Sequence, residues 1–226
     1  MAELDNSNSN IKSVLQLSYF NARGLAETSR LILAIVGENY QDLRYPLTID
    51  KTKTPMFSKP EFDLDKKMRV LERSFNKLPF LKVGEDVIFQ SKAIERYLAK
   101  TYNLMGSSLV EEALIDGLCE VIRDYKTEYQ QVKKEKNEES LKKWFTETLP
   151  EKVGLLELNI NMIHAVGGRV SLADIVMFEF FTQYFDDVVS INNVLNGTEK
   201  VRSIVSNIGE NKKIIKWLET RPMTDF

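Results

Sequence analysis

The chain has 226 residues, of which 43% are hydrophobic and 28% charged, and its 31 basic side chains nearly balance its 33 acidic ones. This composition is typical of a soluble globular protein with one large or two modest domains. The balanced charge argues against a nucleic-acid or membrane-surface partner. The single cysteine, Cys119, excludes an intrachain disulfide, and with the single histidine, His164, it leaves too few ligands for a zinc site. Because apolar, helix-like sequence surrounds both residues, we interpret them as packing residues rather than as a catalytic pair.

The N-terminal sequence is polar. Residues 1–10 are rich in Asn and Ser and lack the apolar core of a signal peptide, so we expect a disordered tail. No apolar run approaches the roughly 18 residues that a membrane-spanning helix needs. We therefore expect a cytoplasmic protein with no membrane partner.

A strand, a helix and a second strand are predicted next. Residues 14–19 are short, apolar and β-prone, and residues 25–36 carry enough apolar side chains for a buried helix that Gly37 would cap. Residues 40–45 can form the second strand. This order makes a βαβ unit, which implies parallel pairing of the strands and a right-handed crossover.

Residues 46–76 differ in character from the segments before them. They contain Pro46, Pro55 and Pro60, many lysines and little periodicity before residues 68–75. We predict a long connection with one helical turn near its end. Connections of this length inside a compact domain are usually functional.

A β-hairpin and a helix follow this connection. Residues 79–83 and 87–89 flank a Gly-Glu-Asp turn, and residues 91–102 have the apolar spacing of an amphipathic helix. The predicted order over the first 102 residues is therefore β-α-β, long loop, β-β-α.

Beyond residue 108 the strand signals disappear. Helical patterns are predicted at residues 109–134, 141–163, 171–185 and 214–218. The predicted organisation is a disordered tail (1–10), an α/β domain (11–102), a linker (103–108) and an all-helical domain (109–226).

Three positions have both a functional and a structural interpretation. Tyr19 ends the first strand, where ligands bind in open α/β sheets, although a tyrosine there is commonly structural. Ser91 begins a helix whose unpaired N–H groups suit an anion, although serine is more commonly an N-cap. Pro79 begins a strand, and a cis Leu78-Pro79 bond would turn the Leu78 backbone outward toward an extended peptide.

A fourth signal is structural. Ser171 and Asp174 have the spacing of a helix capping box, so we do not treat Asp174 as catalytic. The sequence contains no Gly-rich phosphate loop, metal motif or paired-carboxylate signature. No metal is expected.

Four segments resemble the cytosolic glutathione transferases in sequence and in order. They read LSYFNARGLAE at 17–27, NKLPFL at 76–81, QSKAIERYLAKTYNLMG at 90–106 and GGRVSLAD at 167–174. The resemblance implies a thioredoxin-like α/β N-terminal domain followed by an all-α C-terminal domain, the glutathione transferase fold. It also implies the tyrosine-type branch of the family, with features similar to both the mu and the sigma classes.

The resemblance implies which residues hold the reactive part of glutathione. Tyr19 matches the catalytic tyrosine of the family. Leu78, beside a cis Pro79, would pair its backbone with the cysteinyl part of the peptide. Gln90 and Ser91 would hold the carboxylate and amine of the γ-glutamyl group.

The remaining implied contacts include a second subunit. Asp124 falls where an aspartate of the partner reaches the same γ-glutamyl group, which implies a homodimer. Leu25 matches a mu-class contact residue. The lysine expected at the glycine carboxylate has no direct match, because Met68 stands there; Lys67 beside it and Lys77 are the candidates.

The implied function is conjugation of the glutathione thiolate to small hydrophobic electrophiles, held in an apolar pocket between the domains, in a detoxifying enzyme. Glutathione is then a co-substrate, and no cofactor is required. A glutathione-dependent isomerase or peroxidase acting at the same site is an alternative. The other alternative is a non-catalytic ligand-binding or structural member of the family.

Overall fold

The computed structural model describes residues 14–49, 52 and 56–224. They fall into two units: one runs up to Ala22 and from Asn39 to Gln90, the other from Arg23 to Glu38 and from Ser91 onward. The tail predicted at 1–10 lies outside the described residues. The predicted domain boundaries at 11–102, 103–108 and 109–226 follow chain order rather than contacts, and they stay a prediction.

The first unit contains a four-stranded sheet. Its strands lie in the order β2, β1, β5, β6, where β1 is Leu15–Phe20, β2 is Tyr40–Tyr45, β5 is Phe80–Val83 and β6 is Asp86–Phe89. β1 pairs parallel to β2, as the βαβ pattern predicts, while β5 pairs antiparallel to both β1 and β6. The predicted hairpin is therefore confirmed.

A cluster of large apolar side chains supports this sheet. Its buried members are Tyr45, Phe62, Leu71 and Phe80, and Phe20, Leu78 and Val87 pack against them. The Phe62 ring lies 5.2 Å from the Phe20 ring and 6.1 Å from the Tyr45 ring, measured between centroids. Burying side chains of this size contributes about 1.5–3 kcal/mol each.

The predicted long connection contains more structure than the sequence pattern indicates. A small hairpin pairs β3 (Thr48–Ile49) with β4 (Phe57–Ser58), and helix α2 follows at Pro60–Lys67. The helical turn predicted near the end of the connection is present as a short 3-10 turn at Glu72–Ser74, whereas helix α2 was not predicted. In α2 only Phe62 is buried, so the helix carries no apolar periodicity. Its remaining signals are a proline in the first turn, acidic residues near the start and lysines near the end.

Helices form the second unit. After a 3-10 turn at Gly24–Ala26, α1 spans Glu27–Val36 and ends at Gly37 with a φ of 74°, the left-handed conformation that a helix-capping glycine adopts. The other helices are α3 Ser91–Thr101, α4 Leu109–Glu135, α5 Glu138–Lys143, α6 Leu149–Asn159, α7 Leu172–Gln183, α8 Val188–Leu195, α9 Lys200–Gly209 and α10 Lys212–Thr220. The first ten residues of α7 are all buried, which places this helix at the centre of the unit.

Two predictions for these helices are wrong. The single helix expected at 141–163 is divided into α5, a π-helical stretch at Trp144–Thr148 and α6, which ends at Asn159. His164 consequently lies in the irregular segment before α7 rather than in a helix. Helices α8 and α9 were not predicted.

The capping box before α7 is present. The Asp174 carboxylate accepts hydrogen bonds from the backbone N–H groups of Ser171 (2.8 Å) and Ala165 (2.9 Å). Burial raises the pKa of Asp174, and these hydrogen bonds oppose the rise. Asp174 is therefore structural, as its spacing predicts.

In the described part of the chain, no helix is both long and apolar enough to cross a membrane.

Candidate functional site

Tyr19 lies near the carboxyl end of β1, opposite Arg44 in the parallel register with β2. Its side chain is largely buried, and its ring lies edge-on to that of Phe20 at 5.6 Å. The Asn21 N–H donates to the Tyr45 carbonyl at 2.8 Å, so backbone pairing continues past Tyr19. The backbone position of Tyr19 is therefore fixed from both sides, at the sheet edge where ligands bind in α/β folds.

The register of the sheet brings two further segments to the same edge. Ser18 pairs with Phe80, so one antiparallel step further along places Pro79 opposite Tyr19. Phe80 also pairs with Phe89, which places Gln90 directly beyond the end of β6 at that edge. The end of β1, the start of β5 and the end of β6 therefore meet, each carrying residues predicted to bind glutathione.

Leu78 presents its backbone at this edge. The Leu78-Pro79 bond is cis, and within the described chain the backbone of Leu78 makes no hydrogen bond. Phe75 and Asn76, just before it, both have left-handed backbones, with φ of 56° and 55°. An extended peptide can pair with the Leu78 N–H and C=O as a strand would.

Gln90 and Ser91 mark the start of α3. The helix begins at Ser91, so the N-cap position falls on Gln90, which has a φ of 70°. The structural alternative for Ser91, an N-cap, therefore does not apply. The first N–H groups of a helix have no partner within it, and they favour a carboxylate.

The basic candidates for the glycine carboxylate lie in exposed segments of the first unit. Lys67 is the last residue of α2, and Lys77 immediately precedes Leu78. Neither forms an ion pair with another described residue, whereas Arg69 is paired with Glu72 at 2.5 Å. Met68 is 65% exposed. Both lysines can offer an ammonium group to a ligand.

Leu25 and Asp124 belong to the second unit. Leu25 lies in the 3-10 turn before α1 and is 59% exposed. Asp124 is exposed on α4, next to a series of ion pairs between α4 and α3 that was not predicted from the sequence. Carboxylates of α4 at four-residue spacing meet basic residues of α3 in the pairs Lys100–Glu112 (2.5 Å), Arg96–Asp116 (2.6 Å) and Lys92–Glu120 (2.8 Å). Asp124 is next in this series, but α3 begins one residue before Lys92 and offers it no cation.

A buried part of the same charge network was also missed. Arg123 pairs with Glu95 of α3 at 2.5 Å, and its other nitrogen reaches Glu120 at 2.6 Å. Burial raises the pKa of Glu95, and Arg123 opposes the rise. Burial also acts to raise the pKa of Glu120, but the hydrogen bond from Lys92 and the charge of Arg123 lower it to about 2. The sequence signal that could have predicted this network is the recurrence of basic residues on α3 and acidic residues on α4 every four positions.

The other reactive residues, Cys119 and His164, belong to the second unit. Cys119 is fully buried in α4, and burial raises the pKa of its thiol. The His164 Nδ1 atom lies 3.7 Å from an Asp174 carboxylate oxygen, so it faces the capping box. Among the described residues, no group of three or more His, Cys, Asp or Glu side chains is arranged to hold a metal ion.

A mixed four-stranded sheet in an N-terminal α/β domain, followed in sequence by a set of helices, is the architecture of thioredoxin-like glutathione enzymes. Known proteins identify the family within that class. The model of the glutathione S-transferase N-terminal domain matches residues 15–100, and that of the C-terminal domain matches residues 122–221. The chain belongs to the glutathione S-transferase family and is an enzyme of that class.

Individual relatives agree with this assignment. The chain is 30% identical over 221 residues to probable glutathione S-transferase 7 of Caenorhabditis elegans, covering 93% of this chain and 98% of that protein. The structure of the Pi-class glutathione S-transferase of Onchocerca volvulus superposes with a TM-score of 0.73 at 27% identity, covering 92% and 93% of the two chains. Monomeric Na-GST-3 of Necator americanus gives a TM-score of 0.75 at 26% identity, covering 94% and 100%.

Proposed function

We propose that this enzyme conjugates the thiolate of glutathione to small hydrophobic electrophiles, with Tyr19 as the group that stabilises the thiolate. The observation that carries the proposal is the meeting of Tyr19, the Leu78-Pro79 segment and Gln90 at one edge of the sheet. A hydroxyl donor, a free backbone segment and a helix start are the groups that a γ-glutamyl peptide requires.

Stabilising the thiolate is the central chemical task. A free thiol has a pKa near 8.5, so only about 3% is ionised at pH 7. A hydrogen bond donated by the Tyr19 hydroxyl to the sulfur favours the charged form. Lowering the thiol pKa by about 2 units corresponds to roughly 2.7 kcal/mol and makes the thiolate the majority species. The sulfur electron pair then forms a bond to the electrophilic carbon, and the leaving group departs with its electrons.

The rest of glutathione is held by its polar ends. The Leu78 backbone pairs with the cysteinyl residue, and Gln90 and Ser91 hold the γ-glutamyl group at the start of α3. Lys67 or Lys77 neutralises the glycine carboxylate, and Leu25 contributes an apolar contact. Glutathione is the only small molecule besides the electrophile that this scheme requires.

The proposal includes a homodimer in which Asp124 of the second subunit binds the γ-glutamyl amine. Exposed apolar side chains support this assembly. Phe75 is 66% exposed and packs against Phe89 at 4.7 Å between ring centroids, and on α4 Leu109 and Val110 are 84% and 69% exposed. Exposed aromatic groups of this kind are typical of interfaces. A measured monomer mass would contradict this part of the proposal.

We place the enzyme in the cytoplasm, with detoxification of electrophiles as its role. Cytosolic thiols are kept reduced by glutathione, so the co-substrate is present there. The chain contains a single cysteine, which is buried and unpaired, and this agrees with a reducing compartment.

The test is steady-state conjugation of glutathione to 1-chloro-2,4-dinitrobenzene, with Tyr19→Phe as the matched variant. Removing only the hydroxyl leaves glutathione affinity within about twofold and lowers kcat/KM at pH 7 about 10- to 100-fold. Affinity is measured by calorimetry. Equal rates for the two proteins contradict the role of Tyr19. A wild-type protein that binds glutathione without conjugating it instead indicates an isomerase, a peroxidase or a carrier.

A further inference from the structure

A cluster of charged and polar side chains in the second unit links α10 and the residue after it to the start of α1. At its centre is Glu27, the first residue of α1, whose side chain is only 2% exposed. Its Oε1 atom accepts from Arg221 Nη1 at 2.6 Å and from Trp217 Nε1 at 3.0 Å. Its Oε2 atom lies 3.6 Å from Nη1 of the fully buried Arg30. One carboxylate on α1 thus binds two residues of the C-terminal segment.

Gln183, at the end of α7, extends this cluster toward the start of α1. Its side-chain oxygen accepts from Arg221 Nη2 at 2.5 Å, and its backbone carbonyl accepts from Arg23 Nη1 at 3.1 Å. The Arg221 guanidinium therefore uses both branches of its fork at once, one on Glu27 and one on Gln183. A guanidinium can bridge two acceptors in fixed geometry, whereas an ammonium group has no such fork.

The placement of Arg23 connects this cluster to the reaction. Arg23 follows Tyr19 by four residues, in the turn through which the chain leaves β1 and enters α1. The Arg23 carbonyl accepts from the Ala26 N–H, so the turn and the start of α1 form one hydrogen-bonded segment. Groups that hold Arg23 and Glu27 therefore hold the chain segment that follows Tyr19.

We propose that Arg221 is a positioning residue for the transferase reaction, acting through Glu27, Gln183 and Arg23 on the chain segment that follows Tyr19. The inference rests on the proposed function. Arg221 touches no reacting atom; it holds the turn that follows Tyr19 along the chain, and loosening that turn would let the Tyr19 hydroxyl move away from the glutathione sulfur. Small displacements of a catalytic group change rates by large factors, up to about 100-fold for 1 Å.

The same pair of helices offers a matched control. Lys213, near the start of α10, donates from Nζ to the Val36 carbonyl at 3.1 Å, at the opposite end of α1. Lys213→Gln thus removes a contact between α10 and α1 far along the helix from Arg23. If the cluster serves only to hold α10 in place, Lys213→Gln and Arg221→Gln should affect the enzyme in the same way.

The experiment compares conjugation to 1-chloro-2,4-dinitrobenzene across pH 5.5–9 and the ultraviolet absorbance of glutathione thiolate in the binary complex. For Arg221→Gln we expect kcat/KM at pH 7 to fall about 10- to 100-fold, with the pH midpoint moved upward and the thiolate absorbance reduced. Glutathione affinity by calorimetry should change less than about twofold, because Arg221 contacts none of the residues proposed to bind glutathione. Arg221→Lys should lie between the wild type and Arg221→Gln, and Lys213→Gln should keep the wild-type midpoint.

Two milder variants test the inference if Arg221→Gln fails to fold. Trp217→Phe removes one donor to Glu27 and keeps an aromatic ring, and Gln183→Ala removes the second acceptor of Arg221 while its backbone carbonyl still holds Arg23. Both should move the pH midpoint upward by less than Arg221→Gln. Unchanged midpoints in an active enzyme, or the same shift in Lys213→Gln, overturn the inference alone. A wild-type protein without conjugating activity overturns the proposed function, and this inference with it.

Discussion

The two units are each stabilised by different forces. In the first unit, backbone ladders fix Tyr19, Pro79 and Gln90 in register, and an aromatic cluster around Phe62 supports the strands. In the second unit, charged side chains join α3 to α4 and join the start of α1 to Arg221 at the end of α10, and several of them are buried. Apolar packing is nearly independent of pH and salt, whereas charge networks depend on both. The two units should therefore respond differently to mutation and pH.

The largest expected effect is in the aromatic cluster. Phe62→Ala removes the ring that packs on Phe20 and Tyr45 and leaves a cavity, which should lower the free energy of unfolding by about 3–5 kcal/mol. Because neither the ring nor its closest partners ionise between pH 5 and 8, the loss should be the same at both ends of this range. Urea denaturation at pH 5 and pH 8 measures it.

Phe62→Leu is the control for shape, with an expected loss of less than half that of Phe62→Ala. The glutathione KM of Phe62→Ala should also rise, since Leu78 packs against the same cluster. A loss under about 1 kcal/mol for Phe62→Ala would mean that α2 does not support the sheet.

A somewhat smaller effect, with a pH signature, is expected in the buried charge network. Arg123→Met leaves the Glu95 carboxylate buried beside Lys126 and Glu179 without its direct partner, which should lower the free energy of unfolding by about 3 kcal/mol at pH 7. Burial already raises the pKa of Glu95, and removing Arg123 raises it further. The folded-state pKa then lies above that of the unfolded chain, so the penalty applies while the group is charged.

The pH dependence of the Arg123→Met variant follows from the folded-state pKa of Glu95 lying above its unfolded-state pKa. As the pH falls through the folded-state pKa, Glu95 takes up a proton and the penalty decreases, so Arg123→Met should lose less stability at pH 5 than at pH 7. Urea denaturation at both pH values measures the difference. Arg96→Met, which removes a partly exposed partner of Asp116 and Glu120, should cost about 1 kcal/mol or less. If Arg123→Met lowered the free energy of unfolding equally at both pH values, Glu95 would not be the group whose protonation relieves the penalty.

The contrast between the units also explains what sequence reasoning recovered. The strands, the parallel pair and the hairpin were predicted because each produces a local signal of period two or a turn residue. The positions of Tyr19, Leu78 and Gln90 at one edge follow from those same elements. By contrast, α2 was missed because only Phe62 on it is buried, and the π-helical stretch at Trp144–Thr148 leaves no periodic signature.

Charge contacts between distant segments could not be predicted from the sequence for a different reason. Glu27 and Arg221 are 194 positions apart, and a pattern within a window of residues cannot pair them. The series of carboxylates on α4 was visible in principle, since its members recur every four residues. Its partners became identifiable only once α3 and α4 were known to lie side by side.

The smallest effects are expected for glycine-to-alanine substitutions at two positions of the second unit, which should change the free energy of unfolding in opposite directions. Gly37 has a φ of 74°, and an added Cβ would lie 2.8 Å from Lys213 Nζ, so Gly37→Ala should cost about 1 kcal/mol and displace that lysine. Gly154 lies exposed within α6, where an added Cβ meets nothing within 4 Å. Gly154→Ala should therefore add about 0.5–1 kcal/mol of stability by restricting the unfolded chain.

Thermal unfolding of both variants against the wild type measures the difference. If Gly37→Ala proved neutral, the left-handed end of α1 would be adaptable, and Lys213 could not be the rigid contact that the Arg221 comparison uses as its control. A destabilised Gly154→Ala would instead show that the exposed face of α6 is covered in solution. Substituting one glycine thus tests the α1–α10 contact, and substituting the other tests whether the surface of the second unit is as open as its exposed side chains indicate.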